Sequence, residues 1–183
     1  MERDQGEDEL RDIPERGETL KIRSIVIPAD EDQPLRQEEI GVTNLAQYQG
    51  LVGGNIEAAE LGDPASSIYF NEEGKLLHLP LNRRATYLLW AHNRRFRYED
   101  IVVGDAFLVG AVDRAGRDTD VPEEFVTRLL KARRFRTEIQ THDEPGWYGN
   151  SLRFDNWVEA YRYALQLGQR WKRVKDVRIV PEE

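Results

Sequence analysis

Apolar and polar residues alternate along this chain in two rhythms, and the changes of rhythm mark its elements. In TLKIRSIVIPA (19–29) the alternation centres on Leu20, Ile22, Ile25 and Ile27, which predicts a half-buried strand ended by Pro28. DEDQPLRQEEIGV then reads as a polar connection. TNLAQYQGLVGG (43–54) predicts a short helix capped by Thr43, with Leu45, Tyr48 and either Leu51 or Val52 inward and Gly53 and Gly54 as its stop. Residues 55–61 return to strand rhythm, and GDPAS turns the chain. SIYF and KLLHLPL flank NEEG, whose Asn71 and Gly74 are turn formers, so a β-hairpin is expected there. Asn82 is placed to cap a helix over 83–92, in which Ala85, Leu88, Leu89 and Trp90 recur at helical spacing. IVVGDAFLVGAV (101–112) is the most apolar run and reads as a central strand, with Gly104 marking a bulge or tight crossing.

Pro122 opens PEEFVTRLLKA, a helix with acids in its first turn and cations in its last, as the helix dipole favours. RRFRTEIQTH reads as a strand, DEPGWYGNS as a loop, and VKDVRIVP as the closing strand. Between them Asp155 is expected to cap a long helix whose stripe runs Trp157, Tyr161, Ala164, Leu165, Gly168 and Trp171. The fold class that follows is α+β: a mainly antiparallel sheet packed by helices on one face, with a C-terminal helix-strand-helix-strand extension. Three segments are expected: an acidic disordered leader (1–18), an α+β domain (19–113), and the extension (114–183), which the pattern leaves free to join the same sheet.

Composition narrows the function classes. The 183 residues contain no cysteine, which removes disulfides, thiolate metal sites and cysteine nucleophiles and fits a reducing, cytoplasmic setting. No run is long and apolar enough to predict a membrane span, and the charged N-terminus does not resemble a signal peptide. The formal charge is −8, and residues 1–18 carry eight acids against three arginines, a net of −5. The body is therefore only mildly acidic and neither demands nor forbids a polyanionic partner.

LVGGNIEAAEL, SIYFNEEGKLLHLPLNRRAT and IVVGDAFLVG, in that order, resemble the domain of unknown function 3846 family over roughly residues 20–112. The shared pattern is a glycine pair before a glutamate-bearing strand, an acidic-glycine turn, a Pro-x-Asn-x-x-Ala element and a Val-Gly-Asp. Asn55 departs from it, standing where the family often has an aromatic. The resemblance implies a phage, plasmid or bacterial mobile-element context and no established chemistry. The C-terminal third lies outside it and is similar to tails of uncharacterised actinobacterial and phage proteins.

Candidate chemistry lies in five places, of three kinds. Arg83 and Arg84 follow the Asn82 cap, where two cations oppose the helix dipole. A phosphate held by Asn82, both arginines and the close backbone of Gly53 and Gly54 would resolve that conflict, giving an anion or nucleotide site. Its ordinary alternative is surface pairing with Glu72, Glu73 or Asp100. Three basic-aromatic clusters, holding Arg94, Arg95 and Arg97, then Arg133, Arg134 and Arg136, then Lys172 and Arg173, suit nucleic acid if they share a face. Their ordinary reading is amphipathic alternation with Phe96, Phe135 and Trp171 buried. Trp147 and Tyr148, between glycines in a loop, are candidate anchors for a protein interface, whereas the aromatics of the last helix read as core.

His78, His92 and His142 lack metal-site spacing; His142, Asp143 and Glu144 could meet a metal only as a loop, and a solvated turn is the ordinary reading. Glu57 and Glu60 fall on opposite strand faces, and no catalytic fingerprint is present. No metal or cofactor is expected. The expectation is a non-enzymatic accessory protein of a phage or mobile element that binds a host or viral protein. Nucleic-acid or nucleotide binding is the alternative, and a metal-dependent hydrolase the third.

Overall fold

The computed structural model describes residues 20–182. The acidic leader expected over 1–18 lies outside the described residues. Strand β1 (Lys21–Ile27) has the buried pattern its alternation predicts, and it lies beside the middle of a five-stranded antiparallel sheet of order β2-β1-β5-β4-β3.

β2 (Arg36–Gly41) corrects the expectation of a polar connection. Its run RQEEIG is a sheet edge, paired from Lys21↔Gly41 to Val26↔Arg36. An edge strand needs backbone partners more than an apolar face, so its polar side chains carried no strand rhythm. The helix α1 (Leu45–Val52) follows. Asn44, rather than Thr43, caps it by accepting from the Gln47 N–H at 3.1 Å, and Gly53 ends it in the left-handed region at φ 73°.

Strands β3 (Ile56–Leu61) and β4 (Ser66–Asn71) pair with each other, and β4 also pairs with β5 (Ala106–Gly110). The hairpin expected across NEEG is therefore absent. Residues after Asn71 leave the sheet in a series of turns, with Leu76 79% and Leu77 56% exposed and His78 at φ 53°. The apolar alternation of KLLHLPL imitates a strand, but β5 already occupies the sheet position beside β4. The strand expected over 101–112 is shorter for a related reason. Gly104 turns the chain at φ 74°, and a Cβ there would lie 2.7 Å from Leu79 Cδ1, so the tight crossing is real.

The helix α2 (Arg83–His92) starts where expected, with Asn82 Oδ1 accepting from the Ala85 N–H at 3.0 Å. The helix α3 (Glu123–Val126) continues as a π-helical turn over Thr127–Lys131. The last third builds its own sheet instead of joining the first: β6 (Phe135–Thr141), β7 (Trp147–Gly149) and β8 (Val174–Pro181), in the order β7-β6-β8. The helix α4 (Trp157–Arg170) packs on it and is capped by Asn156 rather than Asp155, through the Glu159 N–H at 2.9 Å. Residues read as the loop DEPGWYGNS thus contain a short edge strand.

Helices cover both faces of the large sheet rather than one. On one face Tyr48 and Val52 of α1 pack with Ile22, Val26, Phe107 and Val109. On the other, Ile25, Ile27, Ile68 and Leu108 join a cluster that includes Leu88 of α2, Phe125 of α3, Tyr161 of α4 and Ile179 of β8. This second core runs unbroken from one sheet to the other, so their relative placement is set by shared burial.

Candidate functional site

The three-stranded sheet has two unlike faces because its register alternates side chains strictly. Ile139 pairs with Tyr148 and with Val177, and this face receives α4. Gln140 pairs with Trp147 and Glu138 with Arg178, forming the opposite, charged face.

Between α4 and the β6–β7 pair lies a groove of about 490 Å³, lined among others by Ile139, Tyr148, Tyr163, Leu167 and Trp171. Helix geometry explains it. Trp157, Ala160, Tyr161, Ala164 and Leu165 form the buried stripe, while Tyr163 and Leu167, four residues apart, stand on its flank. The helix ends before Trp171, whose backbone is extended (φ −111°, ψ 99°), and the indole leaves the stripe to stand 45% exposed. That corrects the expectation of a buried Trp171. Tyr148 is 48% exposed on the facing strand.

The rim of the groove is polar. Asn150 Nδ2 donates to the Tyr163 hydroxyl at 3.1 Å, Arg173 pairs with Asp143 at 2.7 Å, and the Tyr148 hydroxyl donates to Glu144, which raises the tyrosine pKa. β7 is an edge strand, paired only with β6 among the described residues.

On the charged face, Arg178 lies over the Trp147 ring at 4.2 Å from its centroid. Trp147 and Tyr148 were expected together in one loop, but the strand sends them to opposite faces. Arg178 reaches Glu138 at 2.7 Å and Arg136 reaches it at 3.0 Å. Burial pushes the Glu138 carboxyl up, and the two guanidinium groups more than offset it, leaving its pKa lowered. Asp176 similarly takes Arg94 and Arg97, the latter at 2.8 Å. A cleft of about 540 Å³ between the two sheets brings Arg94 and Arg95 beside Trp147, Asp176 and Arg178, but Glu60 and Asp63 line it as well.

The basic clusters do not form one stripe. Arg94, Arg95, Arg97 and Arg136 approach the charged face, Arg173 sits at the aromatic groove, and Arg133, Arg134 and Lys172 stay exposed. Phe135 is fully buried and Phe96 partly so, as amphipathic alternation expects.

The anion site expected at α2 is not assembled. The Arg84 guanidinium, 7% exposed, donates to three backbone carbonyls: Gln33 at 2.8 Å, Pro28 at 2.6 Å and Asp30 at 2.7 Å. Burial lowers its pKa, and Glu31, Asp30 and Asp105 partly counter that. Arg83 pairs with Glu31 at 3.4 Å, not with Glu72, Glu73 or Asp100. Asn82 is fully buried, its amide donating to the Ile27 and Gly104 carbonyls at 2.8 and 3.0 Å. Gly53 lines a separate small cleft with Asp105, and Gly54 has no room for a Cβ because Asn71 Nδ2 would stand 2.6 Å away. Arg84 therefore opposes the dipole for a tertiary reason, a distant loop's carbonyls taking the place of an external anion, while Arg83 is an exposed partner of Glu31.

Sequence reasoning missed Tyr163, Leu167 and the free Trp171. Only the position of Tyr163 and Leu167 beside the stripe hinted at them, and the strand that completes the groove comes from elsewhere in the chain. Among the described residues no three or more His, Asp or Glu side chains gather to hold a metal ion, and no helix is long and apolar enough to cross a membrane.

The molecule is thus an α+β protein of two antiparallel sheets that share one core, with a second, smaller core under α1, and its least covered aromatic surface is on the smaller sheet. Residues 22–134 match the model of the family described as domain of unknown function DUF3846, and the chain belongs to that family. The match runs past the expected end near 112, and residues 113–134 pack against the larger sheet. Asp118 accepts from the Tyr48 and Tyr69 hydroxyls at 2.8 and 3.1 Å, and Phe125 is fully buried. No curated protein and no solved structure matches the chain.

Proposed function

We propose that this chain is a non-enzymatic accessory protein that docks an extended segment of a partner protein on the aromatic groove between α4 and β7. The supporting observation is that Tyr148 and Trp171, each close to half exposed, face one groove of about 490 Å³ beside an open strand edge. An extended segment pairing with β7 would gain backbone hydrogen bonds, while alternate side chains enter between the rings. Large, rigid aromatics bordered by polar groups are the usual energetic anchors of such contacts. The family resemblance supports a phage or other mobile-element setting, with a host or viral protein as the partner.

A phage-displayed library of extended peptides, selected on the full-length chain, tests this. Selected peptides should bind at least ~10-fold more weakly, about 1.4 kcal/mol, to Trp171→Ala and to Tyr148→Ala. Arg95→Ala should leave their affinity unchanged. Peptides that bind all three variants as tightly as the natural chain would remove the reading.

The second reading is nucleic-acid binding at the cleft holding Arg94, Arg95, Trp147 and Arg178. It has less support, because Asp176 and Glu138 already pair with three of the nearby guanidinium groups, Arg94, Arg97 and Arg178, and Glu60 and Asp63 share the lining. Binding of single-stranded DNA that falls steeply with salt and is lost in Arg95→Ala would favour it over the first. The hydrolase alternative gains no geometric support among the described residues.

A further inference from the structure

Three of the four sheet edges are covered, wholly or in part, by the protein itself. Along an antiparallel strand, successive residues turn their N–H and C=O groups toward one neighbour and then the other. The Val42 N–H donates to the Leu20 carbonyl at 2.7 Å, so Glu39 and Gly41 of β2 face outward. The Gln47 amide covers both, Oε1 accepting from the Gly41 N–H at 2.8 Å and Nε2 lying 3.5 Å from the Glu39 carbonyl. On β3 the Glu72 N–H donates to the Asn55 carbonyl at 2.9 Å, which turns Glu60 outward, and Asn93 Nδ2 donates to the Glu60 carbonyl at 2.7 Å. On β8 the Glu182 N–H donates to the Arg134 carbonyl, so Val177 and Ile179 face outward, and they are only 3% and 1% exposed.

β7 differs. Phe135 of β6 exchanges both backbone bonds with Phe154, each at 2.9 Å, on the β7 side of the sheet. By alternation Ile139 bonds to Tyr148, and the N–H and C=O groups of Trp147 and Gly149 face outward with no backbone partner among the described residues. An added strand would therefore bond on either side of Tyr148, whose ring lies in the groove. Every strand pair in both sheets is antiparallel.

The groove's rim also has a sign. RWKRVK (170–175) places four cations around Trp171. Asp143 pairs with Arg173 at 2.7 Å, and Glu144 takes the Tyr148 hydroxyl. Arg170, Lys172 and Lys175 are exposed and have no acidic partner among the described residues. A basic segment would meet like charge there, and an acidic one its complement. Resting on the docking reading of this groove, we infer that its occupant is an acidic segment of a partner protein, added antiparallel to β7. One apolar side chain opposite Tyr148 enters the groove, and the segment's carboxylates meet the cations beside Trp171. In that register the N–H of the inserted residue points away from β7, and those of its two neighbours donate to the Trp147 and Gly149 carbonyls.

The test uses peptides that the full-length chain selects from a library of extended sequences. Asp and Glu should outnumber Lys and Arg in them, and their affinity should fall as sodium chloride rises. Lys172→Glu combined with Arg170→Gln should weaken them at least ~5-fold, chiefly through slower association, and leave the unfolding midpoint nearly unchanged. N-methylation should be tolerated at the inserted residue and abolish binding at either neighbour. Peptides that need Trp171 and Tyr148 yet are neutral or basic, or bind the charge-altered variant equally well, or tolerate N-methylation throughout, overturn this inference while groove docking stands. Peptides indifferent to both Trp171→Ala and Tyr148→Ala remove docking itself. A synthetic peptide of residues 1–18 that displaces the selected ones at matched concentration would assign the groove to the chain's own acidic stretch and overturn the partner.

Discussion

Replacing Arg84 by methionine separates a structural arginine from an anion-binding one, and the structure sets the size of the effect. The aliphatic stem is kept and three charge-assisted hydrogen bonds to the carbonyls of Pro28, Asp30 and Gln33 are lost. The Pro28 bond is fully buried, so its carbonyl cannot turn to water, and its loss costs about 2–3 kcal/mol. The other two are only part-buried and can rehydrate, costing about 0.5–1 kcal/mol each. Relief of the buried charge, whose Nε is unpartnered, returns a fraction. The net expectation is a loss of about 3 kcal/mol, or about 6–12 °C in midpoint for a chain of this size. Arg83→Met removes only an exposed pair with Glu31 and should cost less than about 0.5 kcal/mol. Urea and thermal unfolding of both variants and of Arg84→Lys provide the assay; lysine, with one ammonium for three carbonyls, should recover no more than about half of the loss. Equal, small losses in the Arg83 and Arg84 variants would refute the reasoning.

Other outcomes follow from the same contacts. Burial lowers the pKa of the folded His92 imidazole to about 4, so the unfolded chain binds an extra proton between about pH 6.5 and 4 and stability falls as pH drops through that window. With part of the residue meeting solvent at the cleft, the loss should be about 2–3 kcal/mol, and denaturation of His92→Gln across this range should show a flatter slope. Gly50 lies inside α1, and a methyl group added there would meet nothing within 4 Å, so Gly50→Ala should stabilise by about 0.5–1 kcal/mol in urea. Gly110→Ala should do the reverse by more than about 2 kcal/mol, because its Cβ would stand 2.3 Å from both the Asp120 carbonyl oxygen and Thr119 Oγ1.

Legibility followed the physics of each segment. α2 was readable because its cap, its apolar spacing and its end are all local, and Asn82 Oδ1 does accept from Ala85 as the spacing implied. α4 was readable for the same reason, although its cap is one residue later than expected. β2 was not, since an edge strand with polar side chains on either side shows no period. KLLHLPL misled in the opposite direction, its alternation suggesting a strand where the sheet had no free position. At the site, Tyr148 was picked out by its glycine-bounded setting, but its groove partners Tyr163, Leu167 and Trp171 lie in or just beyond a helix whose rhythm indicates core.

By itself the sequence determined the α+β class, the family, the main helices and most strand positions, because caps, turns and periodic apolar faces act over a few residues. Tertiary structure alone decided that the last third forms its own sheet, that Arg84 holds a loop from over fifty residues away, and which aromatic rings stay uncovered. Those outcomes depend on which surfaces meet. A side chain's burial and partners are set by segments distant along the chain, and no local pattern encodes that competition.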